Sequence, residues 1–510
     1  MAADQVPRRL WAKDPTLWKG DPRTIAGRLG WLDVFQSMRS RTAEFRAFVA
    51  ELVRDGFQHV LLLGMGGSSL SAEMLRLTTP RDPGFPRVTV LDSTVPGTVR
   101  EAAAALDLSK TLLLVSSKSG TTLEVTLNYK TFSSRIGKAS SVAAISDPGT
   151  PLEKLATDAR FRRFFPSPGD VGGRFSALSP FGLLPAALMG IDIDRILDDA
   201  SLMADACGPN VPVEENPAMV LGAVMGEAAL AGRDKLTLLL PRRQVPFGLW
   251  AEQLIAESTG KEGMGILPVI GEPVPSRYGD DRLFVGPDTG KLVPSFKLAA
   301  KNPGAEFLRW EIATAVAGSI LGLNPFDEPN VLESKEQAQL IISKFHRTGR
   351  FPHTPHALEE DGIRVFESNA SSTAQAVREL ISSAKPGDYA AILAYVQPTP
   401  AVDRELQTLR AALAGAAGRA TSVGYGPRYL HSTGQLHKGG PNTGLFLLVT
   451  AEDAEDFKVS GERYTYGMLS QAQAIGDLEA LKARGRRILR LHLTAEPAAA
   501  LHVLNRKLES

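Results

Sequence analysis

One pattern constrains the fold of this chain more than any other: a short apolar run, then a polar turn, then residues that favour a helix. Residues 111–115 form an apolar run of β-compatible side chains, which stops at the turn 116–122, Ser-Ser-Lys-Ser-Gly-Thr-Thr. Residues 123–127 then suit the start of a helix. Such strand–turn–helix units are the building blocks of α/β folds with parallel sheets. The pattern predicts a buried strand whose turn lies at the carboxyl edge of a sheet.

A second unit of the same kind precedes the first. Residues 60–63 predict a strand, and the glycine-rich turn 64–70 leads into another helical pattern. The strand predicted at 88–91 lies between the two units, so in a parallel sheet both turns lie at the same edge, where ligands bind. Glycines in the first turn allow a ligand to approach the backbone closely. This turn lacks the G-x-G-x-x-G spacing of dinucleotide-binding proteins.

The turn at 116–122 has the chemistry of a phosphate site. A helix N-terminus offers free backbone N–H groups and the positive end of its dipole. Ser117, Ser119 and Thr122 add hydroxyl groups, and Lys118 adds an ammonium. These groups favour a phosphate monoester as the ligand. The alternative is an ordinary connection in which the serines and threonines only cap the helix.

Composition excludes several classes of protein. The chain has 510 residues, of which 43% are hydrophobic and 22% charged, and its net charge is +1. These values predict a soluble globular protein too long for one ordinary core, and they argue against binding to nucleic acid or a membrane. The first residues lack the apolar segment of a signal peptide, which predicts a cytoplasmic protein.

The number and spacing of the cysteine and histidine residues argue against a metal site. Cys207 is the single cysteine, so neither an internal disulfide nor a cysteine-based metal site can form. His346, His353 and His356 lie close together in sequence. Their segment is rich in proline and offers no carboxylate–histidine geometry, so we predict that they do not bind a metal.

Four other residues are candidates for catalysis. Arg174 follows two glycines, and its permanent charge could stabilise a developing oxyanion, although a surface salt bridge is the simpler alternative. Glu257 stands near the end of a predicted helix, where a lone carboxylate is usually solvated. His431 and His437 lie in a glycine-rich loop and suit catalysis better than a histidine in an apolar core.

Taken together, five segments resemble the glucose-6-phosphate isomerase family in residue type and order. They are residues 64–70, 117–124, 172–176, 257–261 and 321–335. The resemblance covers about residues 10–510 and is greatest to the isomerase half of bifunctional transaldolase/glucose-6-phosphate isomerases. We expect the transaldolase half to be absent, because the chain begins near Trp11, in the region that opens the isomerase half.

The resemblance implies an α/β fold of two SIS (sugar isomerase) domains, each a three-layer α/β/α unit with a mainly parallel sheet. Residues 1–50 would be a helical lead-in and 51–200 the first SIS domain, which carries the phosphate-binding turns. Residues 201–510 would be a second SIS-like domain with an inserted helical segment at about 305–345. The family also implies a sugar phosphate as substrate and a homodimer.

The resemblance further assigns roles to residues of this chain. Glu257 would be the base, Arg174 would stabilise the enediolate, and Lys335 and His431 would open the sugar ring, with His437 as the alternative histidine. The implied substrate-binding residues are Gly67, Ser68, Ser117, Lys118, Ser119, Thr122 and Gln253. Proton transfer between neighbouring carbons requires neither a metal nor a redox cofactor.

Two departures from the family pattern stand out. Glu328 occupies a position where the family usually has glutamine, and a carboxylate there would repel a phosphate. His431 follows both Glu257 and Lys335, whereas in single-function isomerases the histidine lies between them. Two other functions stay open: an isomerase that also accepts mannose 6-phosphate, and a non-catalytic SIS-domain sugar-phosphate sensor.

Overall fold

The computed structural model describes residues 5–275, 277–287, 295–297, 302–351, 354–415 and 418–509. Helices and strands alternate along most of these residues. The helices are α1 Val6–Trp11, α2 Pro22–Ala26, α3 Val34–Met38, α4 Thr42–Arg54, α5 Leu70–Thr78, α6 Pro96–Ala104, α7 Leu123–Ile136, α8 Pro151–Asp158, α9 Pro180–Leu188, α10 Ile193–Ala206, α11 Pro217–Leu230, α12 Phe247–Thr259, α13 Pro303–Ile320, α14 Val331–Thr348, α15 Thr373–Ser382, α16 Pro400–Ala414, α17 Gly434–Gly439, α18 Tyr466–Ala483 and α19 Pro497–Glu509. None of the helices in the described residues is both long and apolar enough to cross a membrane.

The first sheet is entirely parallel. Its strands are β1 His59–Leu63, β2 Arg87–Leu91, β3 Thr111–Ser116, β4 Val142–Ser146 and β5 Arg163–Pro166, in the order β2-β1-β3-β4-β5. The central strand β3 is buried along its whole length, as expected for a strand covered on both faces, and this explains its continuous apolar sequence. Because β1 and β3 are neighbours, the turns that follow them lie side by side.

Two further sheets are formed within the described residues. The smaller contains β6 Lys235–Leu238, β7 Leu267–Val269, β8 Arg282–Gly286 and β9 Phe296–Lys297, all parallel, in the order β7-β6-β8-β9. The larger contains β10 Leu358–Glu360, β11 Ile363–Phe366, β12 Tyr389–Tyr395, β13 Ala420–Tyr425, β14 Gly444–Ala451 and β15 Arg487–Leu493. Its order is β10-β11-β15-β14-β12-β13, and only the pairs that involve β11 are antiparallel.

Both faces of the first sheet are covered by apolar side chains. Val60 and Leu62 point into a core formed with the N-terminal helices and α9–α13, whereas Leu61 and Leu63 point to the other face, towards α7 and α18. The small sheet contributes Leu236 to the first of these cores. The predicted α/β fold with mainly parallel sheets is therefore confirmed, while the division into domains remains a prediction.

Candidate active site

Glu257 lies near the end of α12 and is buried, with 6% of its surface exposed. Residues on all sides of this helix are buried, so the carboxylate faces the protein interior rather than solvent. Gln253, one turn earlier, donates a hydrogen bond from Nε2 to Oε2 of Glu257 at 3.0 Å. Burial raises the pKa of Glu257 above its ordinary value, and the nearby guanidinium of Arg174 opposes that rise. The result is a carboxylate suited to accept and return a proton.

Arg174 lies in the short 3-10 helix Gly173–Phe175 and is held by neutral groups on two of its nitrogens. Nε donates to Oγ of Ser258 at 2.8 Å, and Nη2 donates to the carbonyls of Pro325 and Asp327 at 2.7 and 2.8 Å. Nη1 lies 3.8 Å from Oε2 of Glu257. These contacts fix the guanidinium plane beside the predicted base.

The glycine-rich turn after β1 brings the other predicted residues to this pair. A Cβ at Gly66, whose φ is +54°, would lie 2.7 Å from Nε2 of Gln253 and 3.3 Å from Cβ of His431. A Cβ at Gly67 would lie 1.9 Å from the carbonyl oxygen of Gly173. The turn therefore requires glycine at both positions, because its backbone lies between the segments that carry Glu257, Arg174 and His431.

His431 faces a carboxylate that the sequence analysis did not single out. Its Nε2 lies 3.3 Å from Oε1 of Glu124, in the first turn of α7, and Gln473 donates to the same oxygen at 2.8 Å. Burial alone would raise the pKa of Glu124, but His431 and the charge of Lys335 lower it to about 2. Burial and Lys335 lower the pKa of His431. A neutral imidazole that donates through Nε2 keeps Nδ1 free to accept a proton.

A cavity of about 290 Å³ opens beside this histidine–carboxylate pair. The residues that line it include Ser119, Thr122, Glu124, Lys335 and Gln473. Lys335, in α14, thus lines the same cavity as the turn predicted to bind phosphate.

The two predicted phosphate-binding turns are adjacent. Oγ of Ser116 donates to the carbonyl of Ser68 at 2.7 Å, so the turn after β1 is tied to the end of β3. Ser117 and Thr122 share a hydrogen bond of 3.0 Å between their hydroxyl groups. Lys118 instead pairs with Asp147 and donates to the carbonyl of Gly169, so its ammonium is already neutralised by a protein carboxylate.

The alternative histidine, His437, lies in a different environment. It is 2% exposed, its Nδ1 lies 2.9 Å from the hydroxyl of Tyr389, and its ring packs edge-on against Phe446 in the core of the third sheet. Burial, together with the charge of Lys438, lowers its pKa to about 3. His437 is therefore a core residue, whereas His431 pairs with Glu124 beside the glycine-rich turn after β1.

Two residues of the site were missed by the sequence analysis for different reasons. Glu124 belongs to the segment 117–124, but its pairing with a residue 307 positions away is set by tertiary structure. The sequence around Gln473 contains no motif that predicts a functional role. In the part of the chain that the structure describes, no group of three histidine, cysteine or acidic residues could hold a metal. His353 lies outside the described residues.

A buried carboxylate beside an arginine, next to hydroxyl-lined turns at the ends of parallel strands, defines an α/β protein with a site for acid–base chemistry on an anionic ligand. Comparison with known proteins agrees with this class. The family model described as phosphoglucose isomerase matches residues 32–264. Over that range the chain is similar to the phosphoglucose isomerase family. The matched range contains Ser68, Arg174 and Glu257, whereas Lys335 and His431 lie beyond it.

Three relatives illustrate the similarity. A probable glucose-6-phosphate isomerase of Methanococcus maripaludis is 28% identical over 385 residues, which cover 63% of this chain and 86% of that protein. The glucose-6-phosphate isomerase of Methanocaldococcus jannaschii is 29% identical, covering 50% and 64%. That of Thermosynechococcus vestitus is 36% identical, covering 40% of each. A solved glucose-6-phosphate isomerase structure from Chlamydia trachomatis aligns with a TM-score of 0.47 at 20% identity, over 68% of this chain and 79% of that one.

Proposed function

We propose that this protein is an aldose–ketose isomerase that interconverts glucose 6-phosphate and fructose 6-phosphate. The observation that carries the proposal is the buried carboxylate of Glu257 3.8 Å from a fixed arginine, beside the turn after β1, which Ser116 ties to the end of β3. The names of the relatives support the same activity and favour neither a mannose 6-phosphate isomerase nor a non-catalytic sensor.

The first chemical step in this proposal opens the sugar ring. The C1 hydroxyl of glucose 6-phosphate must lose a proton and the ring oxygen must gain one. His431, neutral and oriented by Glu124, can take or supply a proton in this exchange, and Lys335 can stabilise the oxygen that carries the developing charge. The phosphate would be held by hydroxyl groups of Ser68, Ser117, Ser119 and Thr122 and by the N-terminus of α7.

The second step moves hydrogen along the open chain. Glu257 takes the proton from C2, the electron pair of that C–H bond forms the C1–C2 double bond, and the aldehyde oxygen becomes the enediolate oxygen. Glu257 then returns its proton to C1, and the proton of the C2 hydroxyl passes to the C1 oxygen, so that C2 becomes the ketone and C1 carries the hydroxyl. Arg174 stabilises the enediolate, a role whose loss typically costs about 100- to 1000-fold in rate. Substrate and product have the same atoms, so no oxidant or reductant is consumed.

The homodimer implied by the resemblance and the cytoplasmic location predicted from the sequence are part of the same proposal. They are independent of the geometry of one chain. Size-exclusion chromatography with light scattering measures the first, and cell fractionation the second.

The test is a coupled assay. Purified protein is given fructose 6-phosphate together with glucose-6-phosphate dehydrogenase and NADP, in the presence of EDTA. We expect NADPH to form at a rate proportional to the protein, and EDTA to leave that rate unchanged. A parallel reaction with mannose 6-phosphate measures substrate breadth. If the wild-type protein forms no glucose 6-phosphate, the proposal is wrong.

A further inference from the structure

Two carboxylates share one nitrogen of Arg174. Nη1 lies 2.9 Å from Oε2 of Glu328 and 3.8 Å from Oε2 of Glu257. Glu328 belongs to the turn between α13 and α14, whereas Glu257 belongs to α12. Nη1 thus donates a hydrogen bond to Glu328, whereas Glu257 lies beyond hydrogen-bond distance.

Arg174 cannot easily turn away from this arrangement. Its Nε and Nη2 are occupied by Ser258 and by the carbonyls of Pro325 and Asp327, all of which hold the guanidinium plane in place. Nη1 is left to face both carboxylates. Any change in its interaction with one carboxylate therefore alters the charge available to the other.

The charged groups around Arg174 and Glu257 include a second cation and a third carboxylate. Lys261, just beyond α12, pairs with Asp327 at 2.8 Å and donates to the carbonyl of Asn324. Gln253, on the helix of Glu257 itself, is neutral. Two cations, Arg174 and Lys261, thus face three carboxylates: Glu257, Glu328 and Asp327. Arg28 also acts on Glu328 from the N-terminal region.

Exposure decides which carboxylate takes up a proton first. The side chain of Glu328 is 45% exposed, and that of Glu257 is 8% exposed. Water stabilises the charge of the exposed carboxylate and not that of the buried one. As the pH falls, Glu257 is therefore the first of the two carboxylates to take up a proton, while Glu328 stays ionised beside Arg174. The pKa directions agree, since burial raises that of Glu257 with a contribution from Glu328, while Arg174 overcomes the effect of burial and lowers that of Glu328.

We propose that Glu328 tunes the base: by occupying Nη1 of Arg174, it sets the pH above which Glu257 is ionised and able to take the C2 proton. This inference rests on the proposed function. Glu328 acts through Arg174 and is thus a positioning residue rather than a group that contacts the reacting atoms. Its carboxylate keeps the arginine partly neutralised and leaves Glu257 able both to accept and to return a proton near neutral pH.

The variant that tests this inference is Glu328→Gln, which keeps the size of the side chain and an oxygen for Arg174 but removes the charge. We expect the acid limb of kcat/KM to move to lower pH by about one unit, since removal of a like charge within several ångströms favours the ionised form. The matched control is Glu262→Gln, because Glu262 lies five residues beyond Glu257 and pairs with Lys19 at the surface. This control should keep the wild-type profile. An unchanged acid limb in Glu328→Gln, or an equal shift in both variants, would overturn the inference.

A second measurement separates this inference from the proposed function. Protein labelled with carbon-13 at the glutamate carboxyl groups gives the pKa of Glu257 without turnover, and the signal is assigned by its absence in Glu257→Gln. We expect the pKa of Glu257 to fall in Glu328→Gln, whether or not the wild-type protein converts fructose 6-phosphate. If the wild type is active and this pKa does not change, the inference alone is wrong.

Discussion

His431 and Glu124 form a side-chain pair across 307 residues of sequence, with Nε2 of the imidazole 3.3 Å from Oε1 of the carboxylate. The pair joins the start of α7 to the segment after β13, and Gln473 of α18 donates a hydrogen bond to the same carboxylate oxygen. Because a carboxylate can only accept hydrogen bonds, it selects the imidazole tautomer that is protonated on Nε2.

Glu124→Gln should impair ring opening selectively. An amide can present its NH2 group to His431, which removes the preference for one tautomer, and we expect turnover of glucose 6-phosphate to fall by about 10- to 100-fold, within the range of general acid–base effects. The control substrate is 5-deoxyfructose 6-phosphate, which lacks the hydroxyl that closes the furanose ring. Exchange of its C1 protons with solvent should stay near the wild-type rate. An equal loss on both substrates would place Glu124 in the proton-transfer step instead.

The origin of this pair shows what the sequence could predict and what it could not. Strand β3 was predictable, because a central strand buried on both faces has a continuous apolar run. Strand β5, Arg163–Pro166, was missed, because a short edge strand with arginine and proline has no such pattern. Such short edge strands form because a neighbouring strand offers hydrogen-bond partners, which is information outside the segment itself.

The same distinction applies to the candidate site. The residues in the turns after β1 and β3 were predicted from local spacing, and the structure places those turns side by side. Contacts between distant segments were not predictable. Lys118 stands in a turn suited to phosphate, yet Asp147 from the end of β4 neutralises it. Glu328 was noticed only as a departure from the family, and its contact with Arg174 required the fold.

Glu257→Gln should abolish proton transfer and leave binding almost unchanged. Glutamine keeps the volume of the buried side chain, but it cannot accept the C2 proton. We expect solvent deuterium to stop entering the C2 position of glucose 6-phosphate, while the dissociation constant for the sugar phosphate changes by less than about threefold. NMR of the recovered substrate measures the exchange, and isothermal titration measures the binding. Near-normal exchange in the variant would remove Glu257 from the role of base.

The base also predicts the direction of the pH dependence. Burial raises the pKa of Glu257, so its carboxylate becomes protonated at a pH where an exposed glutamate is still ionised. We expect kcat/KM to fall as the pH decreases from 8 to 5, with its midpoint at least one unit above the ordinary glutamate value of about 4.3. A profile that stays flat down to pH 5 would contradict the assignment.

Gly67→Ala should disrupt the site through packing. The new Cβ would lie 1.9 Å from the carbonyl oxygen of Gly173 and 2.9 Å from the backbone nitrogen of Arg174, so one of the two turns must move. We expect at least a 100-fold loss of kcat, because small displacements of positioned groups are costly. The matched control is Gly173→Ala, whose Cβ would have no atom within 4 Å among the described residues. It should retain activity within about threefold, and equal losses in the two variants would show that general instability is the cause.

Asp477 should be the buried side chain whose loss destabilises the region around the site most. It accepts hydrogen bonds from Ser334 at 2.6 Å, Tyr429 at 2.7 Å and Lys438 at 2.8 Å, and so joins α14, α17, α18 and the segment before His431. Asp477→Asn leaves the charge of Lys438 buried and unpaired, and we expect the free energy of unfolding to fall by about 3–5 kcal/mol. Tyr429→Phe removes one hydrogen bond and should cost about 1 kcal/mol.

Lys438, Ser334 and Tyr429 overcome the effect of burial and lower the pKa of Asp477, so its contribution to stability is complete above the ordinary pKa of 3.8 and is lost as the pH falls below that value. Urea unfolding at pH 7 and pH 3 measures both effects. If Asp477→Asn costs no more than Tyr429→Phe at pH 7, the ion pair is not what holds these elements together.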